Sequence, residues 1–334
     1  MRKVEVDSAF FRGAVSIERA EQGLKPWRIP YEQYELFPPS GLNNTAEISS
    51  GVRLAFASDT EQLEVHVAPS EHVRSLDCVL SGTIHDSIAI AAGSDVAVFA
   101  KLPPGSKRIE IYLPQNTPII VKHVMIDDHA DIAPTTTNRI RWITYGSSIT
   151  QCAGAASPAL TWPAIVARAN DWDLTCLGFS GNCHLEPMVA RMIRDLDADF
   201  ISLCLGINVM GNRSLNMRTF RPAVIGLLST IRERHPDTPI AVISPIYCPD
   251  REAIDNAVEV NLVKLRHEIV EAIRALRQYG DRNLHYINGL DVLSEAYVDY
   301  LPDRLHPNAE GYQIMARHMI EQFDKLPIPA RSDR

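Results

Sequence analysis

The sequence predicts an α/β protein in two parts: an all-β sandwich of jelly-roll type over residues 1–134, and a flavodoxin-like, doubly wound sheet of five parallel strands over residues 138–326. Three observations predict it. Residues 1–134 alternate apolar and polar with period two and carry almost no helical periodicity. Beyond Ala133-Pro134-Thr135-Thr136-Thr137-Asn138, which reads as a linker, short β-branched runs alternate with longer amphipathic ones, as parallel βαβ units require. A chain of 334 residues that is 46% hydrophobic is long enough for two domains or one large one and can bury a large core.

In the first part, Val52–Phe56, Leu63–Val67, Ser87–Ile90 and Arg108–Tyr112 each alternate as half-buried strands do. Turn material such as Ala68-Pro69-Ser70 and Pro103-Pro104-Gly105-Ser106 separates them. In the second part the strand candidates are 139–145, 174–178, 199–205, 239–244 and 284–288. Helix candidates are 161–170, 187–196, 217–235, 254–278 and 308–324, and the tail from Pro327 to Arg334 reads as frayed.

The formal charge of −8, with no basic stripe, argues against a nucleic-acid partner. No apolar run is long enough to span a membrane, and Met1–Asp7 lacks the apolar core of a secretory signal. The six cysteines show neither C-x-x-C pairs nor zinc-like spacing with histidine, and Cys176 and Cys204 sit in apolar strands as buried thiols. A soluble cytoplasmic protein without metal or cofactor is expected. Its oligomeric state is not written in the sequence.

Four strand ends carry residues capable of chemistry. The first strand runs through Arg141-Trp142-Ile143-Thr144-Tyr145 and stops at Gly146-Ser147-Ser148, where a serine either caps the next helix or stands as a nucleophile at the carboxyl edge of the sheet. After the second strand comes Phe179-Ser180-Gly181-Asn182, and a glycine there leaves its N–H accessible to a substrate. After the third comes Gly206-Ile207-Asn208, whose carboxamide can donate to an oxyanion. Before the last helix, Asp303-Arg304-Leu305-His306-Pro307-Asn308 places an aspartate three residues before a histidine, close enough to fix its tautomer. Pro307 keeps His306 out of the helix and Asn308 can cap it. Since a parallel sheet brings such ends to one edge, Ser148, Gly181, Asn208 and the Asp303–His306 pair would meet there as nucleophile, oxyanion hole and oriented base.

This ordered set of serine, glycine, asparagine and histidine resembles the SGNH (GDSL-type) hydrolase superfamily over residues 139–325. Gly146-Ser147-Ser148-Ile149-Thr150 corresponds to its first block, Gly181 to the second, Gly206-Ile207-Asn208 to the third and Asp303–Pro307 to the last. The resemblance implies Ser148, Asp303 and His306 as catalytic residues, and Ser148, Gly181 and Asn208 as the oxyanion hole. Ser147 and Val209 depart from the pattern, each standing where the family usually or often has aspartate. A sandwich ahead of such a domain is similar in architecture to carbohydrate esterases and to acyltransferases of natural products.

The expected activity is a serine esterase acting on a small acyl group carried by a bulky polar alcohol, such as a sugar or glycosylated metabolite. Transfer of the acyl group to an acceptor hydroxyl is the alternative, and a non-catalytic carbohydrate-binding protein on a degenerate scaffold is a second. His184, Trp162, Met210 and Tyr247 are candidate substrate contacts, and Cys183 is a candidate to line the pocket. Ser180 is the rival nucleophile, but its surroundings lack the second glycine of a G-x-S-x-G elbow. A flavodoxin-like cofactor protein is disfavoured by the missing phosphate-cradling glycine loop after the first strand.

Overall fold

The computed structural model describes residues 1–136 and 138–329. Thr137 of the expected linker and the last five residues of the expected tail lie outside them. The chain forms two compact units, one of Met1–Arg139 with Ala155–Cys176 and the other of Ile140–Gly154 with Leu177 onwards.

In the first unit, antiparallel strands form two six-stranded sheets. One takes the order Ser16–Ala20, Gly23–Trp27, Val121–Ile126, Leu63–Val67, Val96–Phe99, with Arg2–Val4 also against Val121–Ile126. The other runs Ile132–Pro134, Arg53–Ser58, Lys107–Tyr112, Arg74–Leu80, Thr83–Ile90, with Phe11–Arg12 also against Arg53–Ser58. Counted from Gly23–Trp27 to Val121–Ile126, strands one, eight, three and six share the first sheet, and two, seven, four and five the second. That is jelly-roll order. Alternation decides the inner faces: Leu63, Val65 and Val67 point to the core while Glu64 and His66 point out. Val65, Val67 and Val124 of one sheet join Leu54, Phe56 and Ile111 of the other in one apolar cluster.

The same unit also buries charge. Arg53 and Arg139 both hold Oε1 of Glu110, at 3.0 and 2.8 Å. Arg53 also pairs with Asp173 and donates to the Leu174 carbonyl at 3.0 Å. Burial alone would push the Glu110 carboxyl up, but Arg53 and Arg139 outweigh it and hold its pKa at about 2. Arg28, without exposed surface, donates to the carbonyls of Ile48, Thr45 and Cys176 at 2.5, 2.6 and 3.3 Å. Asp77 accepts from the Ser157 hydroxyl at 2.5 Å and from the Ala159 N–H at 2.7 Å. Residues 155–176 are thus fastened to strands far away in sequence.

The parallel sheet comprises β1 (Arg141–Gly146), β2 (Asp173–Gly178), β3 (Phe200–Cys204), β4 (Ile240–Ile243) and β5 (Leu284–Ile287), in the spatial order 2-1-3-4-5. This is the flavodoxin-like order expected of a doubly wound sheet. β3 and β4 are apolar runs rather than alternating ones, because helices cover both faces. The helices are α1 (Ser148–Gln151), α2 (Trp162–Ala169), α3 (Pro187–Asp195), α4 (Ile207–Asn212), α5 (Met217–Arg232), α6 (Leu262–Gln278), α7 (Gly289–Val292) and α8 (Ala309–Phe323). Phe323 of α8 stands edge-on to Trp142 of β1 and Phe200 of β3, at centroid distances of 5.7 and 5.0 Å, which seats the helix on the sheet. Tyr145, Leu203, Val242 and Tyr286 lie in register across β1, β3, β4 and β5, so the loops that follow β1 and β3 leave by the same edge.

Two expectations need correction. The helix predicted from 254 begins only at Leu262: Asn261 caps it, and the Asn256 side chain accepts from the N–H groups of Val258 and Val260, taking that segment into a turn. Cys204 is half-buried rather than buried, because β3 ends there at the open edge of the sheet.

Candidate active site

Close packing dictates the turn after β1. A Cβ on Gly146 would lie 2.1 Å from Oγ1 of Thr150, so only glycine lets the chain double back there. Ser147 is the cap of α1: its backbone is extended and its Oγ accepts from the Ile149 N–H at 3.2 Å. Ser148 is therefore the first residue of the helix, half-buried, with its hydroxyl not engaged in capping. Its N–H has no partner among the described residues, as first-turn donors lack one within the helix.

The Ser148 Oγ lies 2.8 Å from Nε2 of His306. On the other side of the ring, Nδ1 lies 2.5 Å from Oδ2 of Asp303, whose Oδ1 accepts the backbone N–H groups of His306 at 2.7 Å and Leu305 at 3.0 Å. Burial raises the Asp303 pKa, but those hydrogen bonds outweigh it and hold the carboxyl below its ordinary value. An anionic Asp303 accepts a hydrogen bond from Nδ1–H, which keeps the proton on Nδ1 and leaves the lone pair of Nε2 facing the serine hydroxyl. Arg304, in the left-handed region at φ 61°, carries its guanidinium to both oxygens of Asp250 at 2.8 and 2.7 Å. The Cys248 thiol donates to the Arg304 carbonyl at 3.2 Å, and Asn308 caps α8 through the Gly311 N–H at 2.9 Å.

Two further donors stand unused. Gly181 has φ +73°, and a Cβ built there would meet nothing within 4 Å. Its N–H has no partner among the described residues. The Asn208 carboxamide meets the Cys183 N–H at 3.0 Å, and only its oxygen can accept from that donor, so the amide is oriented with Nδ2 outward. The sheet thus supplies a serine–histidine–aspartate chain and three uncommitted N–H donors, a set suited to adding a hydroxyl to a carbonyl and stabilising the resulting oxyanion.

The remaining candidates divide. His184 is half-buried and bound on both ring nitrogens, Nε2 to the Gly181 carbonyl at 2.9 Å and Nδ1 to the Ser214 hydroxyl at 2.8 Å. Ser180 donates its N–H to Gln151 at 3.0 Å, and its hydroxyl has no hydrogen-bond partner among the described residues, so no base faces it. Tyr247 is half-buried and donates to Glu295 at 3.1 Å. Met210 and Cys183 are buried. Trp162 is wholly buried in the first unit and offers no surface to a ligand. Val209 is also fully buried and Ser147 nearly so, which accounts for a valine and a capping serine at the two departing positions.

Ser147, Ile149, Ile207 and Leu305 line an apolar cavity of about 30 Å³, whereas Ser148, Asn208 and His306 do not. The sequence reading missed Asn182, Asn212, Arg304 and Asp250, since single polar residues in loops carry no periodic signal. Among the described residues no group of three or more His, Cys, Asp or Glu could hold a metal ion, and no helix is long and apolar enough to cross a membrane.

Residues 139–323 match the model of the GDSL-like lipase/acylhydrolase family, and residues 9–122 match that of the N-terminal domain of SsfX3. Among solved structures, the salicylyl-acyltransferase SsfX3 from a tetracycline biosynthetic pathway is 33% identical, with a TM-score of 0.89 over 98% of this chain and 99% of that one. A family two carbohydrate esterase from Clostridium thermocellum, in complex with cellohexaose, is 14% identical at a TM-score of 0.65, covering 83% of this chain and 93% of that one. An acetyl xylan esterase from Butyrivibrio proteoclasticus is 12% identical at 0.63, covering 96% and 97%. These last two share the fold. No curated protein matches.

Proposed function

The chain belongs to the GDSL-like lipase/acylhydrolase family, and on that premise we propose that it cleaves a carboxylic ester through an acyl-enzyme on Ser148, with His306 as base and Asp303 as its orienting carboxylate. The observation that carries this is the 2.8 Å approach of the serine hydroxyl to an imidazole whose other nitrogen is held by a carboxylate. As Oγ attacks, its proton passes to Nε2. The carbonyl oxygen becomes anionic and is met by the N–H groups of Ser148 and Gly181 and by Nδ2 of Asn208. Asp303 stays ionised and steadies the imidazolium. His306 then protonates the departing alkoxide, and the carbon–alkoxide bond breaks to leave acyl-Ser148. In the second half a water or alcohol gives its proton to His306 while attacking the acyl carbon, and the acyl–Oγ bond then breaks as the proton returns to Ser148, releasing acid or ester.

Two observations bear on which nucleophile completes the cycle. His306 and Asp303 keep 37% and 53% of their side-chain surface, so water has access to the acyl-enzyme, and this supports hydrolysis of a small acyl group from a polar alcohol such as a sugar. The full-length likeness to a salicylyl-acyltransferase supports the second reading, transfer to an acceptor hydroxyl. We place the sandwich at 1–134 and the hydrolase domain at 138–326, and favour a cytoplasmic setting because none of the six cysteines is held in a disulfide. Acylated sugars and aryl acetates offered with and without millimolar acceptor alcohols would decide between water and alcohol. Free acid as the main product at all acceptor concentrations supports the hydrolase, and dominant ester product establishes the transferase. A Ser148→Ala protein that retains full turnover would overturn both.

A further inference from the structure

The loop after β2 is held more tightly than a turn requires, and the ties converge on one residue. The peptide plane before Gly181 contains the Ser180 carbonyl and the Gly181 N–H. The Asn182 side chain, 4% exposed, donates to that Ser180 carbonyl at 2.5 Å. The plane after Gly181 contains its own carbonyl, which accepts from His184 Nε2 at 2.9 Å and from Asn212 Nδ2 at 3.0 Å. That carbonyl is acceptor-only, so His184 carries its proton on Nε2 and accepts a hydrogen bond from the Ser214 hydroxyl at Nδ1. The 3.3 Å between Asn212 Nδ2 and His184 Nε2 is the convergence of two donors on one oxygen rather than a bond between them. Further along, the His184 N–H donates to both oxygens of Glu186 at 3.2 Å, and Glu186 accepts the Tyr145 hydroxyl at 2.7 Å. With the planes on both sides pinned, the left-handed conformation of Gly181 and the aim of its N–H are fixed together.

We propose that His184 and Asn212 are positioning residues: by gripping the Gly181 carbonyl from outside, they aim the Gly181 N–H at the oxyanion. The inference rests on the proposed role of Gly181 and assigns His184 a task other than substrate contact or base. Both ring nitrogens are occupied, one by a main-chain carbonyl and one by a serine, so neither is left for a substrate or for Ser148. A donor that swings freely contributes much less than one held at the position where charge develops, because the reorganisation then falls within the reaction itself.

The test compares His184→Leu, His184→Gln and Asn212→Ala in the full chain. Chromogenic-ester turnover, phosphonylation of Ser148 by a fluorophosphonate and thermal melting are measured on each. His184→Leu should lower kcat by about 10–100-fold and slow phosphonylation in parallel, with KM within about twofold and the acid limb of the pH profile unmoved. His184→Gln, which presents an amide N–H near the position of Nε2, should recover most of the loss. Asn212→Ala, on an exposed side chain, should lose about three- to tenfold and keeps the proposal testable if His184→Leu does not fold. A rise in KM at constant kcat would make His184 a substrate contact, and wild-type kinetics in both His184→Leu and Asn212→Ala would remove the clamp. Either result leaves the Ser148 reading standing. A shift of the acid limb in His184→Leu would overturn the clamp and make His184 the base, and a fully active Ser148→Ala overturns the reading itself.

Discussion

In the first unit, Arg53, Glu110 and Arg139 expose 1%, 1% and 7% of their side chains, and one carboxylate is shared by these two guanidinium groups and that of Arg108. In the second, Asp303 keeps 53% of its surface, and the neighbouring Arg304 and Asp250 keep 56% and 59%. The chemistry of these pairs is similar but their surroundings are opposite. Buried, an ion pair is costly to form and costly to break, so it works as a fixed tie between segments that the chain places far apart. Exposed, it adds little stability, but one that holds a histidine, as Asp303 holds His306, leaves that ring open to substrate and water. Arg53, Glu110 and Arg139 thus join segments out of reach of solvent, whereas Asp303 and His306 stand where solvent reaches.

That contrast can be broken at its strongest point first. Ser148→Ala should lower kcat by at least about 10³-fold while its melting temperature stays within about 3 °C of the parent, read by ester hydrolysis and calorimetry. Glu110→Gln should do the reverse. Leaving Arg53 and Arg139 around an uncharged amide should cost about 3–5 kcal/mol of stability in urea titrations, while kcat per active site, counted by fluorophosphonate, stays near the parental value. Equal stability of the two proteins would mean that the buried cluster is not a tie.

The next effect is confined to the site. Asn208→Ala should lower kcat by about 10²–10³-fold with little change in KM. Asn208→Asp sharpens the point, since it keeps an acceptor for the Cys183 N–H but loses the donor, and should be no more active than Asn208→Ala.

Acid separates the two units by what is lost, stability in one and turnover in the other. Glu110 is held at about 2 when folded, below the ~4.3 of a free glutamate, so its stabilisation is complete above the unfolded value and is lost as pH falls towards 2. The loss is on the order of 3 kcal/mol, and Glu110→Gln should flatten that limb of the stability curve. Asp303 is lowered in the same direction, yet it is largely exposed, so Asp303→Asn should leave acid stability nearly unchanged and act on turnover instead. The smallest expected change is in Asp250→Ala. Releasing Arg304 from a surface pair should alter kcat by no more than about fivefold, and a larger loss would give that pair a direct part in catalysis.

Most of the second unit was legible because its signals are local. A β-branched run ending in Gly146 marks strand and turn, Asn308 after Pro307 marks the start of α8, and Asp303 lies one turn from His306. The α6 boundary was not, because Asn256 and Asn261 redirect the backbone through side-chain bonds that periodicity cannot register. The hairpin of Ser16–Ala20 and Gly23–Trp27 and the strand Arg74–Leu80 escaped as well, since their alternation is broken by charged residues such as Arg74 and Asp77 that are nonetheless fully buried. The least legible feature was the grouping of Ala155–Cys176 with the sandwich. Its ties, Asp77 to Ser157, Arg53 to Asp173 and Arg28 to the Cys176 carbonyl, join residues 80 to 148 positions apart, and no window along the chain contains both ends.

That grouping also orders events during synthesis. A chain leaving the ribosome at about 5–20 residues per second presents Met1–Arg139 first, yet the first unit is incomplete until Cys176 has emerged. Ile140–Gly154, with Ser148 within it, is by then already made and must wait as an excursion between two parts of a unit to which it does not belong. The strand and turn that carry the nucleophile are thus made before most of their own sheet.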